Sequence, residues 1–351
     1  MTNKFYYLPT IKDVAKKAQV SIATVSLVLH DHKRISEETK LRVNQAIKEL
    51  NYHPSRLAQG LVNRTTGNIG FILTDDHFLR SEPFYTIIFL GTEFEARQNN
   101  YYILLTTIRS DFKKEDRLPR FVLERNVDGL IIAGKVPETL IQSLNKYSLP
   151  TTFVDFTPPF KFKYSSVLID NINGGIKATE HLINLGHKNI AFIGGDISHP
   201  SIRERFEGYK KALQKAGIKF NQNHCIIDEA YTGKENGCNA AKKLLERNKK
   251  ITAIFACNDA MAIGTMQCLN SSGYKIPEDI SLVGFDDVDI AKSLSPPLTT
   301  IRVPKEDLGI EALKMINSHL KNLSIKNKNK IVPVELIVRE SASKPSRNKL
   351  A

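Results

Sequence analysis

The residues best suited to chemistry near the amino terminus lie on a short helix that is predicted to begin at Ser21. Ser21 is a favoured N-cap residue, and the apolar residues Val25, Val28 and Leu29 follow it on one inward face. The other side chains of this helix lie outside the inward face and are available for contacts with a partner. A short helix held in this way by two neighbours is the geometry that enters the major groove of DNA. The indicated chemistry is therefore the reading of base edges.

Two more helices are predicted to position this one. Thr10 and Asp13 are spaced as an N-cap and its capping-box partner at the start of the first helix, and Ser36 is spaced as the N-cap of the third. Residues 17–20 are enough to turn the chain between the first two helices. The apolar residues that would share one small core are Ile11, Val14, Ala15 and Ala18 in the first helix and Val43, Ala46, Ile47 and Leu50 in the third.

The motifs of this segment and of the rest of the chain resemble the LacI/GalR family of bacterial repressors. In the first 61 residues they are Thr10-Ile-Lys-Asp-Val-Ala, Val20-Ser-x-x-Thr24-Val25-Ser26, Ser36-Glu-Glu-Thr, Leu50-Asn-Tyr52-x-Pro54 and Ala58-x-x-Leu61. Later in the chain they are Gly174-Gly175, Arg203 to Gly208, Asn258-Asp259-x-x-Ala262-x-Gly264, Gly284-Phe-Asp-Asp287 and Pro297-Leu-Thr-Thr-Ile301. The resemblance covers nearly the whole chain and implies a DNA-binding transcriptional regulator, in most cases a repressor.

The remainder of the chain alternates strand-like and helix-like segments, which is typical of parallel sheets covered by helices. Eight strand-like runs within about 270 residues are too many for one compact unit, so we expect two doubly wound lobes with a cleft between them. The runs are 69–74, 103–107, 129–133, 151–155, 167–170, 190–194, 253–257 and 280–284. Together with the resemblance, this gives an α/β body of two periplasmic-binding-protein-like lobes and an all-α helix-turn-helix head.

The resemblance also implies domain boundaries and three crossings of the chain between the lobes, near Asp170, Pro296 and Lys330. We expect a head at 1–53, a hinge helix and linker at 54–66, and a disordered tail at 342–351. The amino-terminal lobe would comprise 67–169 and 297–329, and the carboxyl-terminal lobe 170–296 and 330–341.

By the family pattern, Ile22, Ala23 and Leu27 reach base edges, and Arg34 is a further candidate reader. The other implied DNA contacts in the head are Thr10, Ser21, Thr24, Ser26, His30 and Tyr52, of which Ser26 and Tyr52 suit phosphate groups. Many relatives carry a polar or cationic residue in place of Leu27 and an asparagine in place of His30. Contact with thymine methyl groups is then the main direct readout left to Ile22 and Leu27. The alternative is that these two side chains pack into the core of the head.

Residues 54–61 resemble the family's hinge helix, in which Leu61 would wedge into a minor-groove step, with Ser55 and Ala58 beside it on the DNA. Two subunits would supply two leucines. Because Gly60 weakens so short a helix, we expect coil without DNA and helix on it. A plain linker is the alternative.

For an effector, the resemblance implies a cleft in which Arg205 binds polar ligand groups and Asp286 accepts hydrogen bonds from them. Asn258 is a third polar candidate, and Phe84 and Tyr231 stand where relatives place an aromatic ring. Asp170 is a further candidate, with helix capping as the alternative role for it and for Asp259. An arginine and an acid beside an aromatic ring suit a sugar or sugar phosphate.

The composition of the chain supports these expectations and disfavours a metal site and a membrane location. The net charge is +13, and residues 1–66 hold eleven lysines and arginines against five acids, as expected for binding to phosphates. The four cysteines have neither zinc-ligand nor disulfide-framework spacing, so no metal or cofactor is expected. No signal peptide or long apolar run is evident, which favours the cytoplasm and no membrane partner.

Two other classes of protein are disfavoured. An enzyme would need a catalytic or phosphate-binding motif, and none of GxxxxGK[ST], GxSxG, HExxH or a full GxGxxG is present. A secreted sugar-binding protein would lack the basic head. We therefore expect a homodimer that binds a near-palindromic operator in double-stranded DNA, with activation, or control by a protein corepressor, left open.

Overall fold

The computed structural model describes residues 9–29, 32, 34–53, 65–78, 83–159, 164–248, 250–321 and 329–346, with backbone alone at 77–78. The described chain divides into two compact units, one ending at Gly67 and the other beginning at Asn68. We call them the head and the body.

The head consists of α1 (Ile11–Ala18), α2 (Ile22–Leu29) and α3 (Glu37–Glu49). Gln19 ends α1 in the left-handed conformation, and the Ser21 and Ser36 hydroxyls accept hydrogen bonds from the first turns of α2 and α3. The three helices share one core of buried residues, which are Val14, Ala15, Ala18, Val25, Val28, Val43, Ala46 and Tyr52. The expected helix-turn-helix fold is confirmed.

The first lobe of the body is a six-stranded sheet in the order β11-β5-β4-β3-β1-β2. Its strands are β1 (Asn68–Thr74), β2 (Tyr102–Ile108), β3 (Gly129–Ala133), β4 (Thr151–Val154), β5 (Ser165–Ile169) and β11 (Asn329–Val332). Its helices are α4 (Asp75–Phe78), α5 (Phe84–Gln98), α6 (Arg120–Leu123), α7 (Glu138–Leu144) and α12 (Lys305–Leu320). Successive strand residues point to opposite faces, so Phe71 packs in one core and Ile72 in another.

The second lobe is also a six-stranded sheet, in the order β12-β10-β9-β8-β6-β7. Its strands are β6 (Ile190–Gly195), β7 (Cys225–Glu229), β8 (Ala253–Ala256), β9 (Ser281–Asp286), β10 (Thr299–Arg302) and β12 (Glu335–Ile337). Its helices are α8 (Asn171–Asn184), α9 (Pro200–Lys215), α10 (Lys234–Arg247) and α11 (Asp259–Ser271). All pairings in the two sheets are parallel except that of β10 with β12. Two doubly wound α/β lobes are therefore present, as expected.

The chain crosses between the lobes at Asp170, between β10 and α12, and between β11 and β12. The second crossing was expected near Pro296, and that boundary is wrong. Residues 299–302 form β10, which pairs with β9 and keeps this segment in the second lobe. The boundary at residue 330 is also wrong, because β11 pairs with β5 of the first lobe through Val332. Both strands are only four residues long and give little periodicity.

The expected disordered tail also needs correction, because residues 342–346 are ordered against the second lobe. The Ser343 amide donates to Ser281 Oγ at 3.0 Å, and the Ser343 carbonyl oxygen lies 2.8 Å from Nε2 of the buried His187. Residues 347–351 lie outside the described residues. Within the described ranges, no helix is both long enough and apolar enough to span a membrane.

Candidate DNA-reading surface and effector cleft

The exposed side of α2 carries apolar side chains. Ile22 is 45% exposed and Leu27 is 38% exposed, whereas Val25 and Val28 fill the inward face. The alternative in which Ile22 or Leu27 packs into the core is therefore excluded. Ala23 is also exposed, so the three expected base readers share the outer side of one helix.

Polar groups at the start of α1 and α2 are partly committed to capping. Asp13 accepts from the amide and hydroxyl of Thr10 at 2.8 and 2.6 Å. Ser21 Oγ accepts from the Thr24 amide at 3.0 Å. Ser26 is partly exposed on α2, and Arg34 is exposed in the loop that follows.

The ring of Tyr52, a residue expected to contact a phosphate group, is packed inside the head. Tyr52 is 8% exposed and belongs to the core of the head. This burial raises the pKa of the Tyr52 phenol. The structure therefore gives its ring a packing role. His30, Ser55, Ala58 and Leu61 lie outside the described residues, as does most of the expected hinge and linker.

In the body, Arg205 lies at the deep end of a cleft between the lobes. It is 5% exposed, donating from Nε to Asn171 Oδ1 at 2.9 Å and from Nη1 to the Cys257 carbonyl at 2.7 Å. Asp286 Oδ1 lies 3.3 Å from Nη1, and the guanidinium carbon is 3.7 Å from the centroid of the Phe285 ring. Gly175 of α8 touches the Arg205 carbonyl so closely that a Cβ would collide with it. The guanidinium is thus held rigidly while Nη2 makes no hydrogen bond to a described residue.

Asp286 ends β9 and adopts a positive φ of 110°, which few non-glycine residues accept. Lys305, at the start of α12 in the first lobe, donates from Nζ to the carbonyls of Asp286 and Asp287. Asp287 in turn binds Arg302 and Arg339, each at 2.7 Å, and these cations help to keep its pKa below its ordinary value despite burial. The turn that presents Asp286 is therefore fixed from both lobes.

Three of the other expected cleft residues line the same space. Asn258 caps α11 by accepting from the Met261 amide at 2.8 Å, and its Nδ2 donates to the Thr232 carbonyl at 3.1 Å. Phe84 is buried at the start of α5. Tyr231 is 72% exposed at the mouth of the cleft. These residues and Asp286 surround a cavity of about 520 Å³, and a smaller one of about 50 Å³ reaches Arg205.

Asp170 does not line either cavity. Its carboxylate accepts from the Asn173 amide at 3.3 Å and caps α8 at the first crossing, so the alternative role as a cap is the one the structure shows. The position is adjacent to Asn171, which does touch Arg205.

A contact between the lobes was not expected from the sequence. Asp155, directly after β4, accepts from Tyr85 Oη at 3.0 Å and from Ser201 Oγ of the second lobe at 2.7 Å. All three residues are buried. Lys135 also reaches Ser198 across the cleft at 3.4 Å. Asp155 is buried at a positive φ, and its hydrogen-bond partners are distant in the sequence. Patterns within a single sequence therefore do not predict this contact.

Asp259 supports the floor of the cleft. It is fully buried and accepts from the Thr300 hydroxyl at 2.6 Å and from the Val288 amide at 2.9 Å. Burial, and then the nearby charge of Asp286, raise the pKa of Asp259 to about 8. Among the described residues, no cluster of histidine, cysteine and acidic side chains is suited to a metal ion.

Comparison with known proteins identifies both parts of the chain. Residues 10–55 match the family of bacterial regulatory proteins called the lacI family, and residues 179–342 match a periplasmic binding protein-like domain. The transcriptional repressor PurR of Pasteurella multocida is 33% identical over 337 residues, which cover 95% of this chain and 98% of that repressor. The ribose operon repressor of Haemophilus influenzae is 32% identical, with coverage of 95% and 98%.

Solved structures give the same result. The complex of the transcriptional regulator CelR with cellobiose has a TM-score of 0.72 at 30% identity and covers 95% of this chain and 100% of its own. The lac repressor dimer bound to operator has a TM-score of 0.78 at 26% identity, with coverage of 96% and 100%. Repressors that are 33% and 32% identical match 95% of this chain. The chain therefore belongs to the LacI family, whose members are DNA-binding transcriptional repressors with small-molecule effectors.

Proposed function

We propose that this protein represses carbohydrate-utilisation genes as a homodimer on a near-palindromic operator, and that a sugar or sugar phosphate bound between its lobes controls the affinity for DNA. The observation that carries the proposal is the pairing of Arg205 with Asp286 at the deep end of the cleft, on a chain that also carries a helix-turn-helix head. The proposal assigns binding rather than catalysis to the cleft and places the protein in the cytoplasm with its DNA.

The chemistry of the cleft suits a polyhydroxylated ligand. Arg205 retains a donor at Nη2, Asp286 supplies an acceptor, and Phe84 supplies an apolar ring against which the C–H face of a sugar can lie. A cavity of about 520 Å³ is within the range of small-molecule sites. The cellobiose bound to CelR and the name of the ribose operon repressor support a sugar as the effector.

The head suits an operator that is read partly through methyl groups. Helix α2 has the sequence IATVSLVL and no charged residue, so its outer side offers Ile22 and Leu27 to the groove. Thymine presents a C5-methyl group there, and apolar side chains contact it favourably. Phosphate binding is left to the cations elsewhere in the head.

The homodimer has a candidate surface on the first lobe. Leu90 and Phe94 of α5 are exposed, as are Tyr102 and Leu105 of β2, the edge strand that lies beside α5. Exposed apolar residues clustered in this way are typical of protein interfaces. A second copy of this chain is the proposed occupant, because a single recognition helix contacts too few base pairs for specific binding.

Two measurements test the proposal. Genomic fragments captured by the purified protein should contain a near-palindrome, and the adjacent genes should indicate a sugar. Calorimetry with the corresponding sugars and sugar phosphates should then show binding by the wild-type protein. Capture of unrelated fragments without a common palindrome would contradict the regulatory role, whereas a specific operator without sugar binding would contradict only the effector class.

A further inference from the structure

The cleft between the lobes contains two adjoining cavities of unequal size. The larger measures about 520 Å³ and the smaller about 50 Å³, and Phe84, Asn258 and Asp286 border both. Arg205 borders only the smaller cavity, whereas Tyr231 borders only the larger one. The volume of the larger cavity lies in the range that holds drug-sized ligands, which are bigger than one sugar ring. A sugar ring held by Arg205 and Asp286 would therefore leave the outer part of the cleft unfilled.

Polar side chains from both lobes line this outer part. We call it the outer subsite, and its residues are Lys135, Asp196, Ser198 and Tyr231. Lys135 follows β3 of the first lobe, whereas Asp196 follows β6 and Tyr231 follows β7 of the second lobe. Ligands of parallel α/β sheets bind at the carboxyl ends of the strands. The outer subsite therefore lies where this fold offers ligand contacts, and it draws them from both lobes.

Hydrogen bonds hold the polar groups of the outer subsite in place. Ser198 donates from its amide to Asp196 Oδ1 at 2.8 Å and from its hydroxyl to Asp196 Oδ2. These bonds keep the pKa of the Asp196 carboxyl below its usual range, so the group is a carboxylate at neutral pH. Lys135 Nζ donates to Ser198 Oγ across the cleft at 3.4 Å. Because an ammonium group has three donors and a carboxylate has several acceptor sites, both side chains can also bind hydroxyl groups of a ligand.

The charges around the larger cavity disfavour an anionic ligand. Three carboxylates border it, those of Asp76, Asp196 and Asp286, against one lysine, Lys135, and no arginine among the described residues. A phosphate group would be repelled by this excess of negative charge. Neutral hydroxyl groups can instead donate to the carboxylates and accept from the ammonium group in charge-assisted hydrogen bonds. Tyr231, which is 72% exposed, adds a ring against which the C–H face of a sugar can lie.

We propose that the effector is a neutral disaccharide whose first ring lies against Phe84, between Arg205 and Asp286, and whose second ring fills the outer subsite. This inference rests on the proposed function, because it assumes a sugar in the cleft. Lys135 and Asp196 are then the residues that select the second ring. Since they belong to different lobes, the second ring adds contacts to both. The disaccharide should therefore favour one arrangement of the lobes more strongly than either of its component monosaccharides does.

Calorimetry on the full-length protein tests the inference. The probes are cellobiose, maltose, lactose, sucrose and trehalose, their component monosaccharides, and glucose 6-phosphate. We expect one disaccharide to bind more tightly than its own monosaccharides and more tightly than the phosphate. Lys135→Ala should weaken binding of that disaccharide by about tenfold, since it removes one charge-assisted hydrogen bond. The same variant should leave the weaker binding of the monosaccharide unchanged.

Lys146→Ala is the matched control. Lys146 is an exposed lysine of the same lobe and borders neither cavity, so this variant should bind both sugars like the wild type. The inference falls, and a sugar effector stands, if a monosaccharide or glucose 6-phosphate binds as tightly as every disaccharide. It falls in the same way if Lys135→Ala weakens both sugars equally or weakens neither. Binding of none of these probes would overturn both the inference and the proposed effector class.

Discussion

Leu27 occupies the outer side of a recognition helix that has no arginine, lysine or glutamine with which to bind a base edge in the bidentate manner. An apolar contact of this kind contributes little energy for each methyl group that it meets. Specificity must then be shared among several weak contacts, phosphate positioning and the deformability of the operator.

Replacing the contacted thymine by uracil should weaken operator binding by about 1 kcal/mol, because it removes one methyl group from an apolar contact. Leu27→Arg should shift selection from a randomised operator library toward guanine at the same position. Leu41→Arg is the matched control, since Leu41 is strongly exposed on α3 and receives the same charge away from α2. An unchanged preference in the Leu27 variant would show that Leu27 does not face the groove.

The raised pKa of Asp259 leads to a second prediction, which concerns how stability depends on pH. In the folded protein its pKa is about 8, and in the unfolded chain it should be close to 3.9. Between these values the folded state keeps a proton that the unfolded state has lost, so rising pH reduces stability. This group should contribute a slope of about −1.4 kcal/mol per pH unit between pH 5 and 7.

Asp259→Asn should remove that slope while keeping both hydrogen bonds, because the amide can accept from Val288 and donate to Thr300. Urea unfolding of both proteins across this pH range measures the difference. Asp289→Asn, at an exposed carboxylate beside the same turn, is the control and should leave the slope unchanged. Parallel pH profiles for wild type and Asp259→Asn would contradict a raised pKa.

At the scale of elements, the sequence predicted what local patterns determine. Ser21 and Ser36 cap helices where expected, and the eight expected strands are present within one or two residues. The missed strands are β7, β10, β11 and β12. β10, β11 and β12 are only three or four residues long. Each is defined by its pairing with a segment distant in the sequence, as β11 is by its pairing with β5, and local patterns do not reveal such pairings.

The candidate site shows the same division between local and long-range information. Arg205 and Asp286 came from motifs that relatives share, and the structure brings them together. Asp155 and Ser201 meet only because the two lobes face each other, a relation set by tertiary packing. The burial of the Tyr52 ring depends on how α1 and α3 close around it, which single-sequence patterns do not show.

The exposed apolar face formed by α5 and β2 leads to a prediction about assembly. Phe94→Glu should weaken the dimer and reduce operator affinity by at least about tenfold, because it places a charge at the centre of an apolar contact. Phe220→Glu introduces the same change on the second lobe and should leave both properties unaltered. Sedimentation and operator titration provide the two readouts. An intact dimer in the Phe94 variant would place the subunit interface on another surface.

At the scale of the whole molecule, a ligand in the cleft would contact both lobes, with Phe84 on the first and Arg205 on the second. The two lobes are bridged by the contact of Ser201 with Asp155 and by Lys305 at the Asp286 turn. An effector can change DNA affinity only through different binding energies for two arrangements of these lobes. The coupling must then be reciprocal, so that operator DNA changes effector affinity by the same factor.

Arg205→Ala tests this coupling. Operator affinity in the absence of effector should stay near that of the wild type, and the response to effector should be lost, a difference of about 1–3 kcal/mol. Arg203→Ala is the matched control, because Arg203 is exposed on the same helix α9 and should preserve the response. Operator affinity should be measured for all three proteins with and without the sugar at one fixed salt concentration, since phosphate contacts make it salt-dependent. Thermal unfolding should accompany the titrations, because Arg205 is buried and its loss leaves Asn171 and Asp286 without a partner they now have. If the folded Arg205→Ala protein still responds at the same sugar concentration, the effector binds outside this cleft.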